Sequence, residues 1–225
     1  MKKYAVIVAG GSGQRMGGEL PKQFQDLKGV PMLCRSMKAF HEEDEETEII
    51  LVLPENYISL WRELFSSLCR DYSISHKIAK GGSSRTESVK NGLALIPDKE
   101  ESLVAVHDAA RPLITKRMIE AGWKEAEEKG AAVPAVPVID SLRLINSSGK
   151  SEAVDRSLFV AVQTPQVFKT SLLKRAYKEN PEKIYSDDAT AVEAIGQKIS
   201  LFEGEVRNMK VTNPGDFEIA ALYIQ

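Results

Sequence analysis

The sequence predicts an α/β fold in a single domain, residues 1–225, built on a mostly parallel sheet. Short apolar runs alternate with longer stretches of helical periodicity, which is the pattern of repeated strand–helix–strand units. The chain has 225 residues, which suits one core with an excursion better than two cores. The first apolar run leads directly into a glycine-rich segment. In open α/β sheets, ligands bind beyond the carboxyl ends of the strands, so this segment is a candidate site.

Five strands and five helices are predicted in order along the chain. The strands are Tyr4–Val8, Glu48–Leu53, Ile74–Ala79, Leu103–Val106 and Ala131–Val136, and the first four helices are Pro31–Phe40, Tyr57–Arg70, Ser84–Ile96 and Lys116–Lys129. Thr115 is expected to cap the fourth helix and Gly130 to end it. The last helix is expected to begin at Pro214, with Asn213 as its cap.

Residues 137–162 depart from this alternation and predict a projecting β-hairpin. One strand runs from Pro137 to Ile145, a polar turn follows at 146–149, and the chain returns through Arg156 to Val162. An isolated hairpin is marginally stable in water, so this one is expected to pack on the parent sheet or on a second subunit. The residues alone favour neither partner.

Composition excludes several classes of partner. The formal net charge is −2 and there is no long basic run, so neither nucleic acid nor an anionic membrane surface is expected as a partner. The amino-terminal apolar run is too short for a signal peptide, and no segment approaches the roughly 20 apolar residues of a membrane span, so a cytoplasmic location is expected. Cys34 and Cys69 lack metal-ligand spacing and are too few for a disulfide framework, so they are expected to be reduced packing residues.

The segment Ala9-Gly-Gly-Ser-Gly-Gln-Arg-Met16, followed by Pro21-Lys22-Gln23, predicts a phosphate cradle. Glycines let backbone N–H groups approach a triphosphate, and Arg15 and Lys22 add positive charge. The spacing matches neither a dinucleotide fingerprint, because Met16 replaces its third glycine, nor a P-loop, because Glu19 replaces its lysine. The glycines alone are equally consistent with a plain strand-to-helix turn. The two cations favour an enzyme that acts on a nucleoside triphosphate.

Further candidates follow the later strands. Asp108 is placed to hold Mg²⁺ against a triphosphate, since magnesium takes one or two carboxylates plus phosphate oxygens; the other interpretations are a turn cap for Asp108 and an orienting salt bridge for Arg111. His107 is expected to be packed rather than to act as a base. A second glycine turn, Gly81 to Val89, suits either base and ribose binding through Arg85 or a simple helix start. Three later segments are expected near the same edge, and they are Gln163–Gln166, Ser186–Ala189 and Asn208–Thr212, which contains Lys210.

These motifs, in this order, resemble the 2-C-methyl-D-erythritol 4-phosphate cytidylyltransferase family. The segments that carry the resemblance are 9–16 with 21–23, 82–89, 106–112, 164–166 and 210–212, so it spans nearly the whole chain. The glycine loop is shared by many nucleotidyltransferases, whereas His-Asp-Ala-Ala-Arg-Pro and Thr-Pro-Gln are narrower. Two positions depart from the family pattern. Val8-Ala-Gly-Gly stands where many members have Pro-Ala-Ala-Gly, and Ser141 stands where threonine is frequent, a change that keeps the hydroxyl.

The resemblance implies a Rossmann-like α/β core, a β-arm at about 137–162 that joins a homodimer, CTP as donor, Mg²⁺ as cofactor and methylerythritol phosphate, a polyol phosphate, as acceptor. It also implies residue roles. The catalytic set is Arg15, Lys22, Arg156 and Lys210; the nucleotide set is Ala9, Gly10, Gly11, Ser12, Gly13, Gly82, Arg85, Ser88, Asp108 and Ala109; the acceptor set is Asp108, Arg111, Asp140, Ser141, Arg156 and Thr164; the metal ligand is Asp108.

Two other functions remain open at this point. A ribitol 5-phosphate cytidylyltransferase has very similar loops, but valine is expected there in place of Ala110, so Ala110 favours the methylerythritol acceptor. The second alternative is a regulatory module that binds a nucleotide without turning it over. The cations beside the glycine loop argue against it, because backbone amides suffice for binding alone.

Overall fold

The computed structural model describes residues 1–10, 21–69, 74–98 and 101–224. The strands are β1 (Lys2–Val8), β2 (Glu48–Leu53), β3 (His76–Lys80), β4 (Ser102–Asp108), β5 (Ala131–Pro137), β6 (Leu142–Ile145), β7 (Ser151–Val154), β8 (Val160–Val162), β9 (Gln166–Lys169) and β10 (Ser200–Glu203). The helices are α1 (Met32–Glu43), α2 (Ile58–Leu68), α3 (Arg85–Leu93), α4 (Lys116–Lys129), α5 (Thr170–Glu179), α6 (Asp188–Glu193) and α7 (Pro214–Leu222).

The predicted α/β class and mostly parallel sheet are confirmed. The main sheet has the order β10-β5-β9-β4-β1-β2-β3, and β8 pairs with β5. The pairs β1–β2, β1–β4, β2–β3 and β5–β10 are parallel, whereas β8 and β9 run antiparallel to their neighbours. The carboxyl ends of β1 and β4 therefore lie side by side, with Val8 opposite Asp108.

Helices cover both faces of the sheet, as the continuous apolar strands require. Along β1, Ala5 and Ile7 pack into one core with α1, α2 and α4. The alternate residues Tyr4, Val6 and Val8 pack into a second core with α3, α5 and α6. Side chains of a strand alternate between faces, so a short apolar run can anchor two layers at once.

The local signals that define element ends are mostly confirmed. β2 and α4 have the predicted bounds, and the Thr115 hydroxyl accepts a hydrogen bond from the Met118 amide at the start of α4. Gly130 ends α4 with φ of 90°, a left-handed conformation that glycine adopts without steric cost. Asn213 caps α7 in a capping box, with Pro214 in the first turn. β3 starts at His76, two residues later than predicted.

The predicted hairpin is present but is divided into two parts. Near the body, β8 pairs antiparallel with β5 and so extends the main sheet. Farther out, β6 and β7 form a separate two-stranded sheet around the turn at Asn146, whose side chain accepts hydrogen bonds from the amides of Ser148 and Lys150. A short helical turn, Arg156–Leu158, joins the parts. The segment is called the arm below, residues 137–162.

The cysteines are buried packing residues, as predicted, but the expectation that they are reduced is wrong. Cys34 on α1 and Cys69 at the end of α2 form a disulfide, with their Cα atoms 6.8 Å apart. The chain separates them by 35 residues, and the packing of both helices on one face of the sheet brings them together in the same core.

Among the described residues, no helix has the length and apolarity needed to cross a membrane.

Candidate active site

A cavity of about 290 Å³ opens at the carboxyl ends of β1 and β4, where α3 begins. Its described lining comes from five segments that the chain separates widely. These are Val8 to Gly10, Lys22 with Gln23, Gly82 to Arg85 with Ser88, Asp108 to Ala110, and Lys210. The sheet therefore brings together most of the residues that the sequence assigned to a nucleotide.

Asp108, the last residue of β4, lies between two cations. Its Oδ1 is 3.2 Å from Nε of Arg85, and its Oδ2 is 2.6 Å from Nζ of Lys210. Burial raises the pKa of this carboxyl, but the charges of Arg85 and Lys210 outweigh burial and hold the pKa well below its usual range. The carboxylate is ionised at neutral pH and stands at the wall of the cavity.

A second carboxylate, Asp188, holds the other side of Arg85. Nη2 of Arg85 lies 2.7 Å from Oδ2 of Asp188, which is fully buried. The remaining oxygen of Asp188 accepts a hydrogen bond from the hydroxyl of Tyr177 at 2.6 Å. Burial and the Asp188 charge both raise the pKa of Tyr177, so it remains a donor. A chain of alternating charges thus runs from Lys210 through Asp108 and Arg85 to Asp188.

The side chain of Gln166 supports Asp188. Its Oε1 accepts hydrogen bonds from the amides of Asp188 and Ala189 at 3.0 and 2.9 Å, and its Nε2 donates to Asp187 at 2.8 Å. The sequence placed the segments around Gln166 and Asp188 at this edge but assigned them no task. Nothing in the sequence pointed to Tyr177, because a tyrosine on an amphipathic helix is an ordinary core residue.

His107 is packed, as predicted. Its ring lies edge-on to Phe40 on the face of the sheet away from the cavity. Nε2 donates to the carbonyl of Arg111 at 3.1 Å, so the neutral ring accepts at Nδ1 from the hydroxyl of Thr164 at 3.2 Å. Burial lowers the pKa of His107 to about 4. Fully enclosed and bonded at both nitrogens, this ring is not the catalytic base.

Lys22 reaches the same cavity from a turn that two contacts fix. Its Nζ donates to the carbonyl of Val211 at 2.6 Å, and the neighbouring Gln23 side chain donates to the carbonyl of Ala9 at 2.8 Å. The amide of Val211 in turn donates to the carbonyl of Ala110 at 2.8 Å. Lys22 and Lys210 therefore converge because both are tied, directly or through Val211, to the chain that follows β4.

The second glycine turn is a capped helix start whose polar groups also satisfy one another. Ser84 caps α3 by accepting from the amide of Glu87. The hydroxyl of Ser88 accepts from the amide of Gly82 at 3.0 Å and donates to the carbonyl of Ser84 at 2.9 Å. A Cβ on Gly82 would come within 2.3 Å of the Glu87 side chain, so the turn requires glycine here. The predicted helix start is confirmed, and the same turn lines the cavity. Binding of a base and ribose there stays a prediction.

Several predicted residues lie elsewhere. Thr164 is buried beneath Asp108, and its hydroxyl accepts from the Asp108 amide at 3.0 Å. Arg111 donates to the carbonyl of Asn208 at 2.7 Å, and burial lowers its pKa. Asp140, Ser141 and Arg156 are exposed on the arm, where Arg156 donates to the carbonyl of Ile139. Gly11, Ser12, Gly13 and Arg15 lie outside the described residues.

The described residues contain no cluster of three or more His, Cys, Asp or Glu side chains that could enclose a metal ion. A metal at this cavity would have to rely on Asp108 and on oxygens of a bound ligand. That donor set fits Mg²⁺, which binds through one or two carboxylates when phosphates complete its shell. Asp108 meets the requirement of being ionised.

Comparisons with known proteins in sequence and in structure all find the same family of enzymes. The sequence profile of the 2-C-methyl-D-erythritol 4-phosphate cytidylyltransferase family matches residues 4–225. The cytidylyltransferase of that name from Bacteroides fragilis is 44% identical over 221 residues, which cover 98% of this chain and 99% of that protein. The Thermus thermophilus enzyme has a crystal structure that is similar at a TM-score of 0.78 and 30% identity, covering 99% and 98% of the two chains. The 4-diphosphocytidyl-2C-methyl-D-erythritol synthase of Anaerococcus prevotii, 24% identical, shares the fold at a TM-score of 0.84 over 100% and 98%.

Proposed function

Since this chain belongs to the 2-C-methyl-D-erythritol 4-phosphate cytidylyltransferase family, we propose that it joins CTP and 2-C-methyl-D-erythritol 4-phosphate. The products are 4-diphosphocytidyl-2-C-methyl-D-erythritol and pyrophosphate. The observation that carries the proposal is the cavity at the ends of β1 and β4, where Lys22, Lys210 and an ionised Asp108 meet. Such a site neutralises and aligns phosphates.

The reaction is an in-line displacement at the α-phosphorus of CTP. An oxygen of the acceptor phosphate forms the new P–O bond, and the bond from the α-phosphorus to the oxygen bridging the β-phosphate breaks. The bonding electrons leave with pyrophosphate. Because the acceptor phosphate is already ionised at neutral pH, no proton has to be removed from the nucleophile. This agrees with a site whose one nearby histidine, His107, is buried and has a pKa of about 4.

The chain's own residues then supply position and charge. Lys22 and Lys210 neutralise the phosphates, and Arg15 is proposed to join them at the α-phosphate. Arg85, fixed by Asp188, keeps Asp108 ionised and in place. The turn at Gly82 and Ser88 is proposed to bind the cytidine, together with Ala9 to Gly13 and Ala109. When bound, Mg²⁺ held by Asp108 would offset charge on the triphosphate.

The acceptor site is proposed to be completed across a homodimer. Asp140, Ser141 and Arg156 are exposed on the arm, and none of them lines the described cavity of their own chain. Large apolar side chains accompany them, including Leu158 at 79% and Ile145 at 69% exposure. Arg111 and Thr164 would shape the acceptor side from beneath Asp108. A second subunit that covers the arm would bring the polar arm residues to a partner's cavity.

We propose a cytoplasmic location because CTP is a charged metabolite that does not cross membranes. The disulfide between Cys34 and Cys69 stands against it, since a reducing cytosol keeps thiols reduced. Alkylating thiols in intact cells before lysis measures which state prevails. Two blocked cysteines per chain support the cytoplasm, and two unreacted ones contradict it.

Pyrophosphate release tests the proposed reaction. CTP, UTP, GTP and ATP are each assayed with methylerythritol 4-phosphate and with ribitol 5-phosphate, with and without magnesium. The proposal expects release with CTP, methylerythritol 4-phosphate and magnesium. Activity confined to ribitol 5-phosphate would identify the other acceptor. Nucleotide binding without release in any combination would point to a regulatory module.

A further inference from the structure

A second cavity, of about 690 Å³, lies between the carboxyl-terminal end of α3 and helix α5. It is the α3–α5 cavity below, and its volume is in the range of small-molecule sites, about 300–1,000 Å³. Arg85 opens α3 at the proposed nucleotide site, whereas Leu93 ends the same helix at this second cavity. The apolar part of the described lining is Leu93, Ala94, Pro97, Tyr177 and Pro181. Ala94, Pro97 and Pro181 are exposed and offer a surface for an apolar group, whereas Leu93 and Tyr177, at 3% and 4% exposure, lie beneath it as the floor.

The rim of the α3–α5 cavity is strongly basic. Among the described residues it carries four cations, Lys90, Lys174, Arg175 and Lys178, but one carboxylate, Asp98. The chain as a whole has a formal charge of −2, so this excess is local. Asp98 pairs with Lys174. Lys90 donates to the carbonyl of Pro181 at 3.0 Å and interacts electrostatically with Glu87, one turn earlier on α3. Nε of Arg175 lies 3.7 Å from the carboxylate of Glu179.

We propose that the α3–α5 cavity is a second ligand site, which binds a phosphate ester that carries an apolar group. The apolar group packs on Leu93, Pro97 and the ring of Tyr177. The phosphate is held by Lys90, Arg175 and Lys178, for which the described residues show no hydrogen bond to a carboxylate, whereas Lys174 donates to Asp98. A cavity with an apolar floor and a rim of cations favours an organic phosphate over inorganic phosphate, which leaves the floor uncovered, and over a neutral ligand, which leaves the rim unpaired.

Tyr177 connects the second site to the first. Tyr177 is one of the residues that line the α3–α5 cavity, although only 4% of it is exposed. Its hydroxyl donates to Asp188, which holds Arg85 beside Asp108. A ligand that displaces the Tyr177 ring therefore acts on the charge chain at the proposed CTP site. This coupling rests on the proposed function, whereas binding in the α3–α5 cavity does not.

Direct titration tests the site. The probe is 1-naphthyl phosphate, whose ring fluoresces, with inorganic phosphate and 1-naphthol as the two half-ligands and CTP in excess to fill the first cavity. We expect saturable binding of 1-naphthyl phosphate that is tighter than either half-ligand. Lys178→Glu should raise its Kd by about tenfold or more, as the loss of a charged contact does. Lys124→Glu, which makes the same charge change on the exposed face of α4, should leave it unchanged.

Three results would overturn the site. They are no saturable binding, complete displacement of the dye by CTP, and equal weakening by the Lys178 and Lys124 variants. If CTP itself fails to bind, the proposed function is contradicted. The difference in Kd for 1-naphthyl phosphate between the Lys178 and Lys124 variants still shows whether the dye binds in the α3–α5 cavity.

The coupling has its own test in the Kd of CTP measured with and without saturating 1-naphthyl phosphate. We expect a shift in the wild type, because two linked sites change each other's affinity by the same factor. Tyr177→Phe keeps the ring and loses the hydroxyl, so it should still bind the dye but lose the shift. No shift in the wild type, or an equal shift in Tyr177→Phe, contradicts the coupling. Hydrogen exchange at residues 185–190 of the wild type, which should change when the dye binds, gives the same answer without a variant.

Discussion

The end of β4 and the arm differ in how their side chains are buried and paired. At the end of β4, Asp108, Arg85 and Asp188 each meet an opposite charge within 3.2 Å, and Asp188 is fully buried. On the arm, Leu144, Ile145 and Leu158 are 55%, 69% and 79% exposed. One region pairs its charged groups within the chain, whereas the other leaves apolar side chains exposed to water.

The difference indicates which part of the proposed site a single chain can build. Buried charges must be paired within the fold. The proposed nucleotide-binding side of the site is therefore complete in any single chain that has folded its core. Exposed apolar side chains of this size on a thin two-stranded sheet gain most when another surface covers them. The proposed acceptor side therefore depends on association, and the two regions should respond differently to substitution.

The largest effect on folding is expected for Asp188→Asn. The amide still accepts from Tyr177, but Arg85 loses a buried partner, and breaking such a pair costs about 3–5 kcal/mol. The free energy of unfolding from urea titrations measures this. Glu55→Gln removes one side of an exposed pair with Lys80 and should change little. Equal stability of Asp188→Asn and the wild type would mean that the charge chain does not hold this region together.

The next effect is on turnover. Lys22→Ala removes a cation of the proposed reaction centre and should lower kcat by about 10²-fold, as the loss of one electrostatic donor does. The fold should remain, because the turn around Lys22 also depends on the contact of Gln23 with Ala9. Lys116→Ala, which removes an exposed lysine 3.6 Å from Glu42, is the control and should turn over normally. Near-normal kcat for Lys22→Ala would remove Lys22 from the mechanism.

A pH effect should follow from His107. Its pKa is about 4 in the folded chain, below the ordinary value of 6.5. The unfolded chain therefore binds the proton first as the pH falls. The contribution of His107 to the free energy of unfolding is fully present above about pH 6.5 and is lost toward pH 4, by about 3 kcal/mol in all, because lowering a pKa by one is worth about 1.4 kcal/mol. Burial also lowers the pKa of His76, which adds to the loss in the same window, so the effect of His107 is the difference between the wild type and His107→Gln. Asp108, whose pKa is lowered, adds a loss only below 3.8, so the two windows are separate.

Urea titrations between pH 7.5 and pH 4.5 measure this effect. His107→Gln keeps a donor near the Arg111 carbonyl but has no proton to gain, so its stability should be lower at pH 7.5 and flatter with pH. A wild-type curve as flat as that of His107→Gln would show that the buried ring is not the titrating group.

The sequence predicted features that depend on local chemistry. Gly130 and Asn213 end and begin helices because glycine tolerates a left-handed conformation and an asparagine side chain accepts from a backbone amide. The position of Asp108 followed from the rule that ligands bind beyond the carboxyl ends of strands. Those arguments need only neighbouring residues.

Features that depend on long-range pairing were missed. Arg85 and Asp188 are 103 residues apart, and no spacing rule links them. The insertion of β9 antiparallel between β4 and β5 is what brings Gln166, and through it Asp188, under Arg85. The disulfide was missed for the same reason, since α1 and α2 meet only in the folded core.

The smallest effect on the chain itself, and the sharpest test of the comparison, is expected for Leu158→Asp on the arm. Because Leu158 is 79% exposed, the substitution should leave the protomer's unfolding within about 0.5 kcal/mol of the wild type. It should nevertheless raise the dissociation constant of the proposed homodimer by about tenfold or more, if the apolar arm is a buried anchor of its interface. Sedimentation velocity over a range of concentrations separates the two quantities. Ser147→Asp makes the same charge change on the polar turn of the arm and should not weaken the proposed homodimer as much. A wild-type chain that stays monomeric at every concentration would contradict the difference drawn between the two regions, because the exposed apolar side chains of the arm would then not be covered by a second subunit.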